Sequence, residues 1–215
     1  MKFKKTLAAI AAGALSLTLG AFALAGCGIS GENYTFEAED GELAGQGLVM
    51  GQTPGPASVS NPSAYKVYGE LADETLIGVE NFNSAGQSIT WTVTASSACK
   101  AELTLWAASS VMYFNQEDNS IGLVEIDMAA TEAYKLTCND TKADLKGKLP
   151  GAQWADWSAM QEPGAWWDLG KATAIIDLKE GENTIVFEIV STVEGQNSAG
   201  LNIDKIVIKA PSELK

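Results

Sequence analysis

The chain has 215 residues, with 27 aspartates and glutamates against 14 lysines, no arginine and no histidine, for a formal charge of −13. Without histidine there is no Ser-His-Asp or Cys-His catalytic centre, and the commonest zinc ligand is missing; without arginine there is no bidentate clamp for carboxylate or phosphate. The acidic balance also argues against nucleic acid and anionic lipid headgroups as partners, because both call for a basic surface that releases counterions.

The N-terminus carries Lys2, Lys4 and Lys5, then an apolar run from Leu7 to Leu24, then the small residues Ala25 and Gly26 before Cys27. A basic n-region, an apolar h-region and small residues at a cleavage point make a secretory signal, and a cysteine directly after it resembles a bacterial lipoprotein signal. Residues 1–26 are therefore expected to be removed and Cys27 to be lipidated. Two acyl chains suffice for stable anchoring where one is marginal. The alternative is an uncleaved membrane helix, for which about 18 apolar residues is borderline. Without the first 26 residues the chain keeps eleven lysines against 27 carboxylates, a formal charge of −16. Residues 27–33 form a tether reaching roughly 20 Å when extended, and residues 34–215 suit one domain with a full core. The protein is thus expected outside the cytoplasm, held close to the cell membrane.

Strands follow in chain order. Tyr34–Glu39 and Glu74–Val79 are the first two. In Gln87–Thr94, Ile89, Trp91 and Val93 alternate with Ser88, Thr90 and Thr92; in Cys99–Ala107, Ala101, Leu103 and Leu105 alternate with Glu102, Thr104 and Trp106. A period of two marks half-buried strands, and Trp91 falls on the core side. Further strands are predicted at Ala133–Cys138, Ala172–Leu178, Thr184–Ser191 and Leu201–Lys209, with Lys179-Glu180-Gly181-Glu182 as a hairpin turn. Irregular stretches are expected at Gly45–Tyr68, Ser109–Gly122 and Leu149–Gly170. Short strands, turn signals between them and no helical period give an all-β fold, an antiparallel, jelly-roll-like β-sandwich with long inserted loops. Cys99 and Cys138 each end a strand, so either a disulfide or two partly buried thiols fits an extracytoplasmic location.

Trp154, Trp157, Trp166 and Trp167 fall within the last irregular stretch, together with Gln153, Asp156, Gln161, Glu162 and Asp168. An indole face packs on the C–H face of a pyranose while amides and carboxylates bond its hydroxyls, so this composition suits a sugar. Another reading of the same residues is a satellite core under a long loop.

Five motifs occur in order: Tyr34-Thr35-Phe36-Glu37-Ala38-Glu39-Asp40; Ala85-Gly86-Gln87-Ser88-Ile89-Thr90-Trp91-Thr92-Val93; Ala101-Glu102-Leu103-Thr104-Leu105; Leu178-Lys179-Glu180-Gly181-Glu182-Asn183-Thr184-Ile185; and Gly200-Leu201-Asn202-Ile203-Asp204-Lys205-Ile206. This series resembles the β-sandwich carbohydrate-binding modules of families 6 and 35 over nearly the whole domain. The chain departs from them in lacking an arginine often found on the strand ending Leu105-Trp106, and in the length of Ser109–Gly170. Glu37 and Glu39 lie about 7 Å apart on one face of a strand, a spacing that by itself favours two solvated glutamates. The resemblance implies that they share a structural Ca²⁺ with Asp204, tying the two ends of the domain together; Ca²⁺ takes six to eight oxygen ligands. It also implies a ligand cleft using Trp166 or Trp167, Asn202 and, more weakly, Asn81. The expected function is non-catalytic binding of a neutral oligo- or polysaccharide at the cell surface, alongside glycan-processing or transport proteins. Two rivals stand beside it: a protein-interaction or envelope-assembly module anchored by the tryptophans, and a small glycoside-active enzyme using Asp156, Glu162 and Asp168.

Overall fold

The computed structural model describes residues 29–45, 58–59, 65–68, 78–115, 120–151 and 165–215. Cys27, Trp154, Trp157, Asp156 and Glu162 lie outside the described residues, as does most of the strand expected at Glu74–Val79. No helix occurs among those described.

The strands are β1 (Glu32–Glu37), β2 (Glu42–Ala44), β3 (Ser58–Val59), β4 (Tyr65–Tyr68), β5 (Val79–Phe82), β6 (Ser88–Ala95), β7 (Cys99–Ser109), β8 (Met112–Asn115) and β9 (Ser120–Leu123). They continue with β10 (Ile126–Asp127), β11 (Tyr134–Cys138), β12 (Thr141–Ala143), β13 (Lys146–Leu149), β14 (Ala165–Asp168), β15 (Gly170–Leu178), β16 (Gly181–Ile189) and β17 (Leu201–Ala210). A large sheet runs β10-β13-β15-β7-β17-β5-β3, and a smaller one runs β12-β11-β16-β6-β2. All their pairings are antiparallel, so the expected antiparallel sandwich is the observed architecture. One edge of β17 is shared: its first residues pair with β5, while Lys205–Ala210 pair with Glu37–Glu32 of β1.

The period-two pattern fixes which face is buried. Ile89, Trp91 and Val93 of β6 meet Ala101, Leu103 and Leu105 of β7 in one core, joined by Ile185, Phe187 and Ile189 of β16 and Ile203, Ile206 and Ile208 of β17. Burying each of the valine, leucine, isoleucine and phenylalanine side chains contributes about 1.5–3 kcal/mol. Phe187 stacks between Phe82 and Tyr134 at centroid distances of 5.9 and 5.8 Å, which ties the two sheets together. Tyr134 donates its hydroxyl to Ala199 O at 3.1 Å, so this ring is buried without leaving its polar end unpaired.

One local expectation is corrected. The segment Lys179–Glu182 is not a hairpin turn, because β15 belongs to the large sheet and β16 to the small one; it is an arch from one layer to the other. A hairpin closes by cross-strand bonds, and here the buried Asn183 supplies the bonding. Its Oδ1 accepts from Lys179 N at 2.8 Å, and its Nδ2 donates to Lys179 O and Gly181 O, each at 2.9 Å. Gly181 sits at φ +87°, a conformation that costs a glycine little. The two-residue hairpin lies instead at Asn139-Asp140, which joins β11 to β12 with both φ values positive, 49° and 64°, as a type I′ turn requires. The cysteine alternatives resolve to two free thiols. Burial and nearby Asp177 push the Cys138 thiol up to about 11, and its Sγ donates to Asp177 O at 3.5 Å.

Candidate functional site

Two clusters of sequence-selected residues find their places along β17. At its middle the ladder to β7 is interrupted: Ile203 pairs with Ala107 and Lys205 with Trp106, leaving Asp204 as an extra residue. Such a bulge re-aims one side chain. The same point is where β1 ends, Glu37 lying opposite Lys205 and Ala38 N donating to Asp204 O at 2.8 Å. Trp91 reaches across from the small sheet and donates its indole Nε1 to Glu37 O at 2.9 Å, fixing the end of β1 against the core.

The fold therefore brings Glu37, Glu39 and Asp204 to one neighbourhood. The Asp204 side chain is only 4% exposed and its Oδ2 lies 3.3 Å from the Nζ of Lys205, itself 12% exposed. Glu39 carries a buried Oε2 with no hydrogen-bond partner among the described residues. Burial raises the Glu39 carboxyl above its ordinary pKa, Asp40 adding to the rise, while Lys205 pulls the other way. Buried hard oxygens are the right chemistry for Ca²⁺. Yet among the described residues no group of three or more acidic, cysteine or histidine side chains is placed to hold a metal ion, and an ammonium already stands against Asp204. The carboxylates do not make a finished calcium site.

The second cluster lies at the Leu201 end of β17. Asn202 pairs with Ala108 on one side. On the other, Leu201 pairs with Phe82 and Ile203 with Val79, so the irregular register sets Glu80 and Asn81 opposite Asn202. The two asparagines selected from sequence thus sit on neighbouring strands. The chain reaches this end of the sheet through β14, since Gly170 of β15, two residues after Asp168, pairs with Ala107.

Trp166 and Trp167 are not in a loop, as expected, but on β14, which pairs in parallel with β4: Ala165 with Tyr65, Trp166 with Lys66, Trp167 with Val67 and Asp168 with Tyr68. Both segments are rich in aromatic and β-branched residues, which favour strands. Neither shows a period long enough to reveal one, and the partner is some hundred positions away. Tyr65 and Tyr68 had no signal beyond their composition.

Trp106 is another residue without a role in the sequence reading. It lies on the outer side of β7 between Lys171 of β15 and Lys205 of β17 in register, and the Lys171 ammonium sits 4.3 Å from its ring centroid. A cation over an indole is worth about 0.5–1 kcal/mol at an exposed site.

No family model matches the chain, and no curated protein matches it. Among solved structures it is similar to a family 35 carbohydrate binding module from Clostridium thermocellum, at 16% identity and TM-score 0.48, covering 83% of this chain and 98% of that one. It is also similar to the GH26-CBM35 β-(1,4)-mannanase of Podospora anserina, at 18% identity and TM-score 0.46, covering 86% of this chain and 28% of the other. A third is the exo-β-1,3-galactanase of Phanerochaete chrysosporium, at 18% identity and TM-score 0.43, covering 83% of this chain and 29% of that enzyme.

Proposed function

We propose that this chain is a surface-anchored lipoprotein whose β-sandwich binds a neutral oligo- or polysaccharide without cleaving it. The observation that carries the proposal is the parallel pairing of Tyr65-Lys66-Val67-Tyr68 with Ala165-Trp166-Trp167-Asp168. Four aromatic residues in eight positions are gathered on a short ribbon leading to the end of the sandwich where Asn202 lies. Aromatic faces with a few amides and carboxylates are what a sugar ring needs, and a binding site of this kind needs no acid and base pair at catalytic separation. Calcium enters this reading as the structural ion that the resemblance implies at Glu37, Glu39 and Asp204, not as a ligand of the sugar. Anchoring through Cys27 would hold the domain at the membrane, where a bound glycan is available to other surface proteins. Changing Cys27 to Ala should release the protein from the membrane fraction.

The experiment is a glycan array on the purified protein followed by calorimetric titration of variants against its best ligand. Trp166→Ala or Trp167→Ala should weaken binding about tenfold or more, roughly 1.4 kcal/mol, with the fold intact. Asn202→Ala should cost about 0.5–1.5 kcal/mol through a lost hydrogen bond. No reducing ends should appear on incubation. If Trp154, Trp157, Trp166 and Trp167 can all be replaced with full affinity retained, the sugar surface is elsewhere.

A further inference from the structure

We propose, on the reading that Cys27 is the lipid anchor, that the domain stands upright on the membrane, with the end of the sandwich formed by residues 96–98, 139–140, 179–180 and 211–215 facing the lipid headgroups and the Asn202 end turned outward.

The strand register fixes the end from which the tether leaves. β1 begins at Glu32, opposite Ala210 where β17 finishes, and runs from there to Glu37 opposite Lys205. On the other side of β17, Lys209 pairs with Glu102 near the start of β7, and Cys99, the first residue of β7, pairs with Leu178, the last of β15. Gly181 at the start of β16 pairs with Ala95 at the end of β6, so the small sheet turns at the same end. Asn139 N donates to Thr184 O at 2.8 Å, which sets the β11–β12 turn beside these. Glu32 therefore emerges among the four turns, while Asn202 lies at the opposite end of β17, roughly 25 Å away at about 3.3 Å per residue. The tether is shorter than that. From Cys27 to Glu32 the chain reaches only about 17 Å when fully extended. An inverted domain would hold Glu32 farther from the lipid than the tether can stretch.

Charge separates the upright pose from one lying on its side. At the tether end the turns come close to balance, Lys179 and Lys215 standing against Asp140, Glu180 and Glu213. At the Asn202 end the described turns carry Glu125, Glu132 and Glu194 and no lysine. These three line one cavity of about 340 Å³ together with Asp127. A leaflet that contains anionic lipid repels carboxylates within a screening length of about 8–10 Å, so the pose of lower energy keeps this acidic end away from it. The end facing the lipid needs no attraction of its own, because the acyl chains hold the domain in place; it has only to be the end that is repelled least. The glycan end then meets the surroundings and not the bilayer.

The test uses the full lipidated chain in vesicles of phosphatidylcholine and phosphatidylglycerol that contain a headgroup-nitroxide lipid. One fluorophore is placed at Glu180→Cys or at Asn197→Cys, both exposed positions, with Cys99→Ala in each and Cys138 left in place because it is buried. The label at position 180 should be quenched several-fold more strongly than the label at 197. A second measurement needs no variant: in acetylation followed by mass spectrometry, Lys179 and Lys215 should react several-fold more slowly relative to Lys148 on vesicles than in detergent. Equal quenching at the two positions, stronger quenching at 197, or Lys179 and Lys215 no slower on vesicles overturns the upright pose while the anchor stands. If Cys27 carries no lipid by mass spectrometry and the chain does not join vesicles, anchor and pose fall together, and the sugar reading is judged on its own titrations.

Discussion

Trp91 shows how one residue serves two layers. It is 3% exposed in the core, and its indole N–H is spent on Glu37 O, the last residue of β1. Truncating it removes a large buried ring together with the bond to that carbonyl, so Trp91→Ala should lower stability by about 3–5 kcal/mol. Trp91→Phe keeps most of the ring volume and should cost less, chiefly the hydrogen bond and a small cavity. Urea unfolding of both variants checks this: equal losses would mean that the ring volume contributes nothing beyond the bond to Glu37, and a Trp91→Phe protein as stable as the natural one would mean that the bond contributes nothing. The core role of Trp91 was readable from its place between Ile89 and Val93. The importance of Lys205 was not, although it follows Asp204 directly, because sequence cannot show that a bulge buries the pair together. Glu37 and Glu39 fitted two solvated glutamates by spacing alone and a calcium pair only through the resemblance, and only the folded register sets Glu37 opposite Lys205 and Lys205 against Asp204.

At the scale of elements, strands with a clear period of two were legible: β6, β7, β15, β16 and β17 all fall within a few residues of their expected places. Their assignment to layers was harder. Leu178 and Gly181 flank a short turn that looks like any hairpin, yet the strands on either side pair with β7 and β6 in different sheets. Asn183 is what makes the arch hold. Its amide is 0% exposed and satisfies backbone groups of Lys179 and Gly181 while accepting from Asn139 Nδ2 at 2.8 Å. Asn183→Ala would leave several of these groups buried and unbonded, each worth about 1–3 kcal/mol. We expect a loss of about 2–4 kcal/mol in urea, with some groups rescued by water, and faster amide exchange at Lys179 than in the natural protein. A loss under about 0.5 kcal/mol, the range of an ordinary surface change, would show that the arch closes without it. The β4–β14 ribbon was illegible for another reason: two four-residue strands far apart in sequence carry too little periodicity to stand out from their irregular surroundings.

For the molecule as a whole, charge separates two consequences of salt. Residues 27–215 carry a formal charge of −16, and lysines are engaged on the outer side of the large sheet, Lys100 with Asp177 at 2.8 Å and Lys148 with Glu125 at 2.6 Å. Those pairs are exposed and each is worth only about 0–1 kcal/mol. Repulsion among the surplus carboxylates acts across the entire surface. Added salt weakens both, since the screening length falls from about 10 Å at 0.1 M to about 3 Å at 1 M, and the uncompensated repulsion is the larger of the two. The melting temperature should therefore rise by a few degrees between low and high NaCl. Sugar binding should respond differently. A neutral glycan carries no charge for the acidic surface to repel, so its affinity should change less than about twofold over the same range. An anionic glycan would be repelled at low salt and bind more tightly as the field is screened. Calorimetric titrations at two NaCl concentrations, run with the melts, decide the ligand class: an affinity that climbs with salt rejects a neutral sugar, and a melting temperature that falls rejects surface repulsion as the leading electrostatic effect.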